Sequence, residues 1–178
     1  PTADVDGHDA CRKICILAAI AFGRHVYPRQ VPTEGISGVT LADVAYAESC
    51  NRKIKLLGRA VKEPDGRVCA YVAPHLVESE APLAGVEDVF NAIMVKGDAI
   101  GDVMFYGRGA GKLPTASAVV ADVMDAARHI QSRKRMEWGP GGEDVTVSPE
   151  QFPFRWYVRA SGSAGAVRTA FPGAALLS

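Results

Sequence analysis

The sequence carries no surplus charge, with 20 Lys and Arg set against 20 Asp and Glu. That balance gives no electrostatic footprint for nucleic acid or for an anionic membrane as a partner. Long apolar runs are missing too: the longest, Ile14 to Phe22, is about nine residues where a bilayer span needs roughly 20. Cysteine is confined to positions 11, 15, 50 and 69, with no CxxC and no Cys/His spacing that suits zinc. No metal site is expected, and the thiols read as free, buried side chains of a reducing cytoplasm. The first residues are acidic rather than basic, so no secretory leader is expected. There is no internal repeat.

What is present fits an ordinary soluble domain, 48% hydrophobic and 22% charged. A chain of 178 residues has room for one well-buried domain and an appendage. After Gly23 ends the first apolar run, 24–39 reads as a loop punctuated by Pro28, Pro32, Gly35 and Gly38. Thr40, with Asp43 three residues on, signals a helix to about Asn51 with an apolar stripe at Leu41, Val44 and Ala45. Strand patterns at 54–62 and 67–73 flank Pro64-Asp65-Gly66, a hairpin with its turn written in. A proline-containing connector over 76–85 leads to strands at 88–96 and 102–106, which turn at Gly97-Asp98 and Gly101. A helix from Pro114 to about Gln131 carries Ala116, Val119, Val120, Val123, Met124 and Ala127 as a wide apolar stripe. The basic run Arg133-Lys134-Arg135 then complements that helix's C-terminal dipole rather than a phosphate. Strands in the middle with helices at either end give an α+β fold, not alternating βα units.

The chemistry concentrates in two places. Asp4, Asp6, Asp9 and Lys13 crowd the first residues, immediately before the apolar run. Asp6 reads as the cap of the first turn, with Asp9 at the third helical position. Asp9 and Lys13, four apart, share one helical face. The apolar turns that follow imply protein all round the helix. A carboxylate and an ammonium at the mouth of a buried helix can bind and polarise a small polar substrate. The same spacing also describes a solvated pair worth a few tenths of a kcal/mol.

The second place is Gly107-Arg108-Gly109-Ala110-Gly111-Lys112-Leu113-Pro114-Thr115. Glycines admit close approach of an anion to backbone N–H groups, and a helix start adds a favourable dipole. The loop is not a phosphate loop, because Tyr106 occupies the first glycine position and Leu113 follows the lysine. Nor does it lie in the βαβ unit of a dinucleotide fingerprint. On its own it reads as a tight turn into a helix in preference to an anion site.

Taken whole, Pro1 to Lys13 followed by Ile-Cys-Ile-Leu-Ala-Ala-Ile-Ala-Phe-Gly resembles the catalytic-domain signature of homoserine dehydrogenases. The likeness continues, in order, through Glu-Gly-Ile at 34–36, Ile-Lys-Leu-Leu-Gly at 54–58, Asn-Ala-Ile-x-Val-x-Gly-Asp at 91–98 and Phe-Tyr-Gly-x-Gly-Ala-Gly-x-x-Pro-Thr-Ala-Ser-Ala-Val-Val at 105–120. The resemblance implies a mixed β-sheet with helices covering one face, the substrate and dimerisation domain of that family. It implies Lys13 as the acid/base at the substrate oxygen, and Asp9 and Asp4 as the polar wall that binds homoserine. It also implies that Gly109, with Gly107 and Gly111, packs against the nicotinamide end of NAD or NADP.

The activity so implied is NAD(P)-dependent interconversion of L-homoserine and L-aspartate 4-semialdehyde, in a cytoplasmic homodimer of the threonine and methionine pathways. The family's nucleotide-binding domain, its upstream lysine and its monovalent-cation site have no counterpart here, nor does a substrate-binding glutamate expected just before Pro1. The chain therefore reads as the middle of a longer enzyme. The expected domains are a catalytic unit over 1–131, a polar linker over 132–153, and a truncated ACT-like strand or frayed tail over 154–178. Two alternatives stand beside this: a non-catalytic dimerisation module, and a semialdehyde dehydrogenase with Cys50 as its nucleophile.

Overall fold

The computed structural model describes residues 2–132 and 139–175. Its centre is the hairpin around Pro64-Asp65-Gly66, where the Arg67 backbone N–H donates to Asp65 Oδ1 at 2.9 Å and Gly66 takes φ +86°. Strand β1 (Arg52–Lys62) runs antiparallel to β2 (Val68–Glu78), with Gly58 opposite Val72. Alternation along β2 sends Val68, Ala70 and Val72 to one face and Cys69 and Tyr71 to the other. Because β2 runs on to Glu78, the connector expected over 76–85 shrinks to a short 3₁₀ turn at Pro82–Gly85.

Three α-helices precede the first sheet in the chain. After α1 (Thr2–Val5), α2 (His8–Phe22) lays Cys11, Cys15 and Ala18 on the Val68/Ala70/Val72 face, and Gly23 ends it in the left-handed region. Burial is one-sided. Ile16 and Ile20 stay 54% and 58% exposed, so the expectation of protein all round α2 does not hold within these residues.

Helix α3 (Leu41–Ser49) begins in the capping box that Thr40 and Asp43 spell out. The expected stripe faces the wrong way, however. Leu41 is 88% exposed and Val44 and Ala45 are exposed, while Asp43 and Ala47 are the buried residues. Hydrogen bonds drawn to Asp43 from the distant chain turn that side inward.

The expected second pair of strands forms a separate two-stranded sheet, β3 (Phe90–Gly97) and β4 (Gly101–Arg108), followed by α4 (Lys112–Arg128). None of α4 is buried, and the side chains of its apolar stripe are exposed.

Of the stretch read as a linker, the described residues 139–153 pack on the first sheet. Its β5 (Thr146–Val147) pairs in parallel with Val68 and Cys69, making the first sheet three-stranded and mixed. Val145 and Val147 are buried, and the Gly139 N–H donates to the Gly23 carbonyl at 2.7 Å. Their β-branched apolar side chains outweigh the glycines before them. Residues 154–160, expected as an ACT-like strand, form no strand pairing among the described residues. Instead Phe152 and Phe154 cover the Tyr71 face, and a short helix α5 (Ala164–Ala170) follows. The basic run at 133–135 lies outside the described residues.

Candidate functional site

The turn between α1 and α2 positions the acidic cluster. Gly7, at φ +80°, is the residue that caps α2, and a Cβ there would lie 3.1 Å from both Thr33 Cγ2 and Val72 Cγ1. Asp6 is therefore not the cap. Its Oδ1 accepts from the Ser37 hydroxyl at 2.5 Å, and Asp9 sits at the second helical position. There it lies beside the free N–H groups of the first turn, where a carboxylate is favoured. Lys13 Nζ meets Asp9 Oδ2 at 2.7 Å, with the two side chains 59% and 40% exposed. The spacing thus does bring Asp9 and Lys13 together, at an open surface. Asp4 is exposed on α1 and its side chain has no hydrogen bond or ion pair among the described residues.

The three glycines divide among different elements. Gly107 lies inside β4 opposite Asn91. The Gly109 N–H donates to the Val89 carbonyl at 3.2 Å, and Gly111, at φ +119°, precedes α4. The turn into α4 is shorter than expected, three residues at 109–111, because β4 runs through Arg108 rather than ending at Tyr106 and the helix begins at Lys112 rather than Pro114. No hydrogen bond or ion pair among the described residues joins this turn to Asp9 or Lys13.

The cysteines are set for packing. Burial, with Cys11 beside it, pushes the Cys15 thiol up to about 12, and burial also raises Cys69. Cys50 caps the C-terminus of α3, and its side-chain neighbours are Ser49, with Oγ at 3.8 Å, and Tyr46. Among the described residues no group of three His, Cys, Asp or Glu side chains is arranged to hold a metal, and no helix is long and apolar enough to cross a membrane.

One cluster escaped sequence reasoning. The buried Asp43 accepts from the Thr40 N–H and hydroxyl at 2.7 Å, from Tyr157 Oη at 2.7 Å, and from Arg159. The Tyr157 and Thr40 hydrogen bonds chiefly hold its carboxyl down at about 2. Thr40 and Asp43 were legible as a cap; Tyr157 and Arg159 come from more than a hundred residues away, with no local signal.

Comparison with known proteins places this geometry. The family model for homoserine dehydrogenase matches residues 1–124. The homoserine dehydrogenase of Synechocystis is 47% identical over 135 residues, covering 74% of this chain and 31% of that protein. The crystal structure of a homoserine dehydrogenase from Thiobacillus denitrificans superposes with a TM-score of 0.71 at 41% identity, over 83% of this chain and 34% of the other. A hyperthermophilic archaeal homoserine dehydrogenase in complex with NADPH matches at 30% identity with a TM-score of 0.57, over 72% and 35%. The chain spans about a third of the length of these relatives. A match over this much of the sequence, repeated in the fold, makes the chain a member of the homoserine dehydrogenase family.

Proposed function

We propose that this chain is the substrate-side part of an NAD(P)-dependent homoserine dehydrogenase, interconverting L-homoserine and L-aspartate 4-semialdehyde. The observation that carries the reading is the 2.7 Å Asp9–Lys13 pair at the exposed start of α2, inside the segment the family model matches. Lys13 donates a proton to the carbonyl oxygen in reduction, or takes one from the hydroxyl in oxidation. Asp9 holds the ammonium in place. Asp4, one short helix away and free of other partners among the described residues, receives the amino group of the substrate.

The residues present fit the edge of a dinucleotide. At Gly107 a Cβ would meet nothing within 4 Å, so the backbone of β4 is open to a flat ring. At Gly109 the Asn91 side-chain amide stands where a Cβ would be, so the open stretch narrows there before Gly111 leads to the N-terminus of α4. When bound, the nicotinamide supplies or accepts the hydride. The archaeal relative's NADPH complex supports NADP as one acceptable cofactor. With that activity we place the enzyme in threonine and methionine biosynthesis, in the cytoplasm. The exposed apolar faces of β3, β4 and α4 support assembly as a homodimer.

General acid–base help of this kind contributes typically about 10²–10⁴-fold. Lys13→Ala, in the full-length enzyme that carries this segment, therefore lowers kcat by about two orders of magnitude or more, read by NADPH formation from homoserine. Turnover within a few-fold of the parent sinks the assignment. The Cys50 alternative finds no support in the geometry, since the side chains beside that thiol among the described residues are Ser49 and Tyr46, neither a histidine nor a carboxylate.

A further inference from the structure

The loop after α2 does more than connect. Strand β2 is paired along one edge by β1, and its other edge is shared between β5, beside Val68 and Cys69, and the loop, beside Val72. The Val72 N–H donates to the Pro32 carbonyl at 2.9 Å, and the Glu34 N–H donates back to the Val72 carbonyl at 2.9 Å. Residues 32–34 are thereby registered on the best-buried strand of the molecule. Immediately beyond, the loop grips the α1–α2 corner. The Ile36 N–H donates to the Val5 carbonyl at 2.8 Å, and Ser37 Oγ donates to Asp6 Oδ1 at 2.5 Å. Between them Gly35 lies so close that a Cβ would stand 2.4 Å from the Val5 oxygen and 2.5 Å from Asp6 Cα. The gripped residues lie between Asp4 on one helix and Asp9 and Lys13 on the next. Within the segment the Gly7 N–H donates to the Asp4 carbonyl at 3.2 Å and the Asp6 N–H to the Thr2 carbonyl at 2.9 Å, and the loop adds the contacts that hold this corner against the body.

From this geometry we infer that Gly35 and Ser37 are positioning residues for the substrate, setting the offset between Asp4 and the Asp9–Lys13 pair by clamping Val5 and Asp6. The inference rests on the functional reading above. It separates two duties: Lys13 and Asp9 sit on α2 and hold each other without the loop, whereas Asp4 depends on the clamp. Loosening the clamp therefore weakens substrate binding while leaving the ion pair intact.

The test is a titration of the ¹⁵N-labelled full-length enzyme that carries this segment with L-homoserine, followed at the amides of residues 4–13. In the unsubstituted enzyme, Asp4 and the Asp9–Lys13 turn shift together with one dissociation constant. Ser37→Ala, an exposed position whose loss does not threaten folding, raises that constant several-fold and removes the Asp4 shift while the Asp9–Lys13 shifts persist. Ser37→Thr, which keeps the hydroxyl, restores both. Asp6→Asn acts in the same direction as Ser37→Ala. Unchanged affinity in Ser37→Ala, with or without a fall in melting temperature, overturns the inference and leaves the functional reading standing, provided Lys13→Ala still weakens binding. If the unsubstituted enzyme shows no homoserine-dependent shifts, or if Lys13→Ala binds as the parent does, the functional reading fails and the inference with it.

Discussion

A salt bridge as exposed as Asp9–Lys13 adds little to stability, at most about 1 kcal/mol by comparison with measured surface pairs. Its weight lies in placing an ammonium, with its proton, at a fixed point beside the opening turn of α2. The glycine at 35 is a sharper case of position deciding consequence. A methyl group there meets backbone rather than a movable side chain, so Gly35→Ala forces the α1–α2 corner to shift and costs about 1–3 kcal/mol. Gly38→Ala, three residues on, meets nothing within 4 Å and leaves the unfolding midpoint in urea where it was. Equal midpoints for the two variants would contradict the close approach described here.

At the scale of elements, the clearest dependence is that of α3 on the distant residues 157–159. Asp43 keeps its carboxyl at about 2 because the Tyr157 hydroxyl and Thr40 donate to its charged form, with the Arg159 guanidinium adding to them. The unfolded value is near 4, so the folded state binds fewer protons between these limits. The stabilisation is thus fully present above about pH 4 and is lost as pH falls toward 2. Tyr157 also stacks on Tyr46 at 4.7 Å. Acid titration of Trp156 fluorescence should report release of this segment over that window, and Asp43→Asn should show the released signal already at pH 6. A flat titration, identical in the variant, would contradict the role given to Asp43.

The same elements show what local sequence can carry. The hairpin turn, the Thr40–Asp43 cap, the helix stop at Gly23 and the Asp9–Lys13 pairing are all local, and each was legible from residues a few positions apart. The stripe of α3, the place of β5 and the docking of 152–159 depend on partners far along the chain, so hydrophobic pattern alone misassigned them. Ser37 and Gly35 belong to this second kind; a glycine in a loop signals a turn, not the backbone it nearly touches.

For the whole molecule, the apolar side chains left outside are as informative as those within. Phe105 is 62% exposed, Val119, Val120 and Val123 more than half exposed, and all lie on the second sheet or α4. We expect the chain to self-associate through these faces, so sedimentation velocity should give a dimer at micromolar concentration and a monomer for Phe105→Glu; a monomeric parent would count against the homodimer. Because the chain spans about a third of its relatives, and the cofactor contact proposed for it is confined to the Gly107–Gly111 edge, the isolated chain should show negligible NADPH binding by fluorescence titration. Tight binding would mean that the cofactor surface lies elsewhere on these residues. The central claim, that Lys13 moves the proton at the substrate oxygen, is tested most directly by adding small primary amines to the Lys13→Ala variant of the full-length enzyme. The account predicts that homoserine turnover, nearly lost in the variant, rises with amine concentration and with the fraction of amine in the protonation state the reaction needs. A variant that turns over as fast as its parent, with no response to amine, would contradict it.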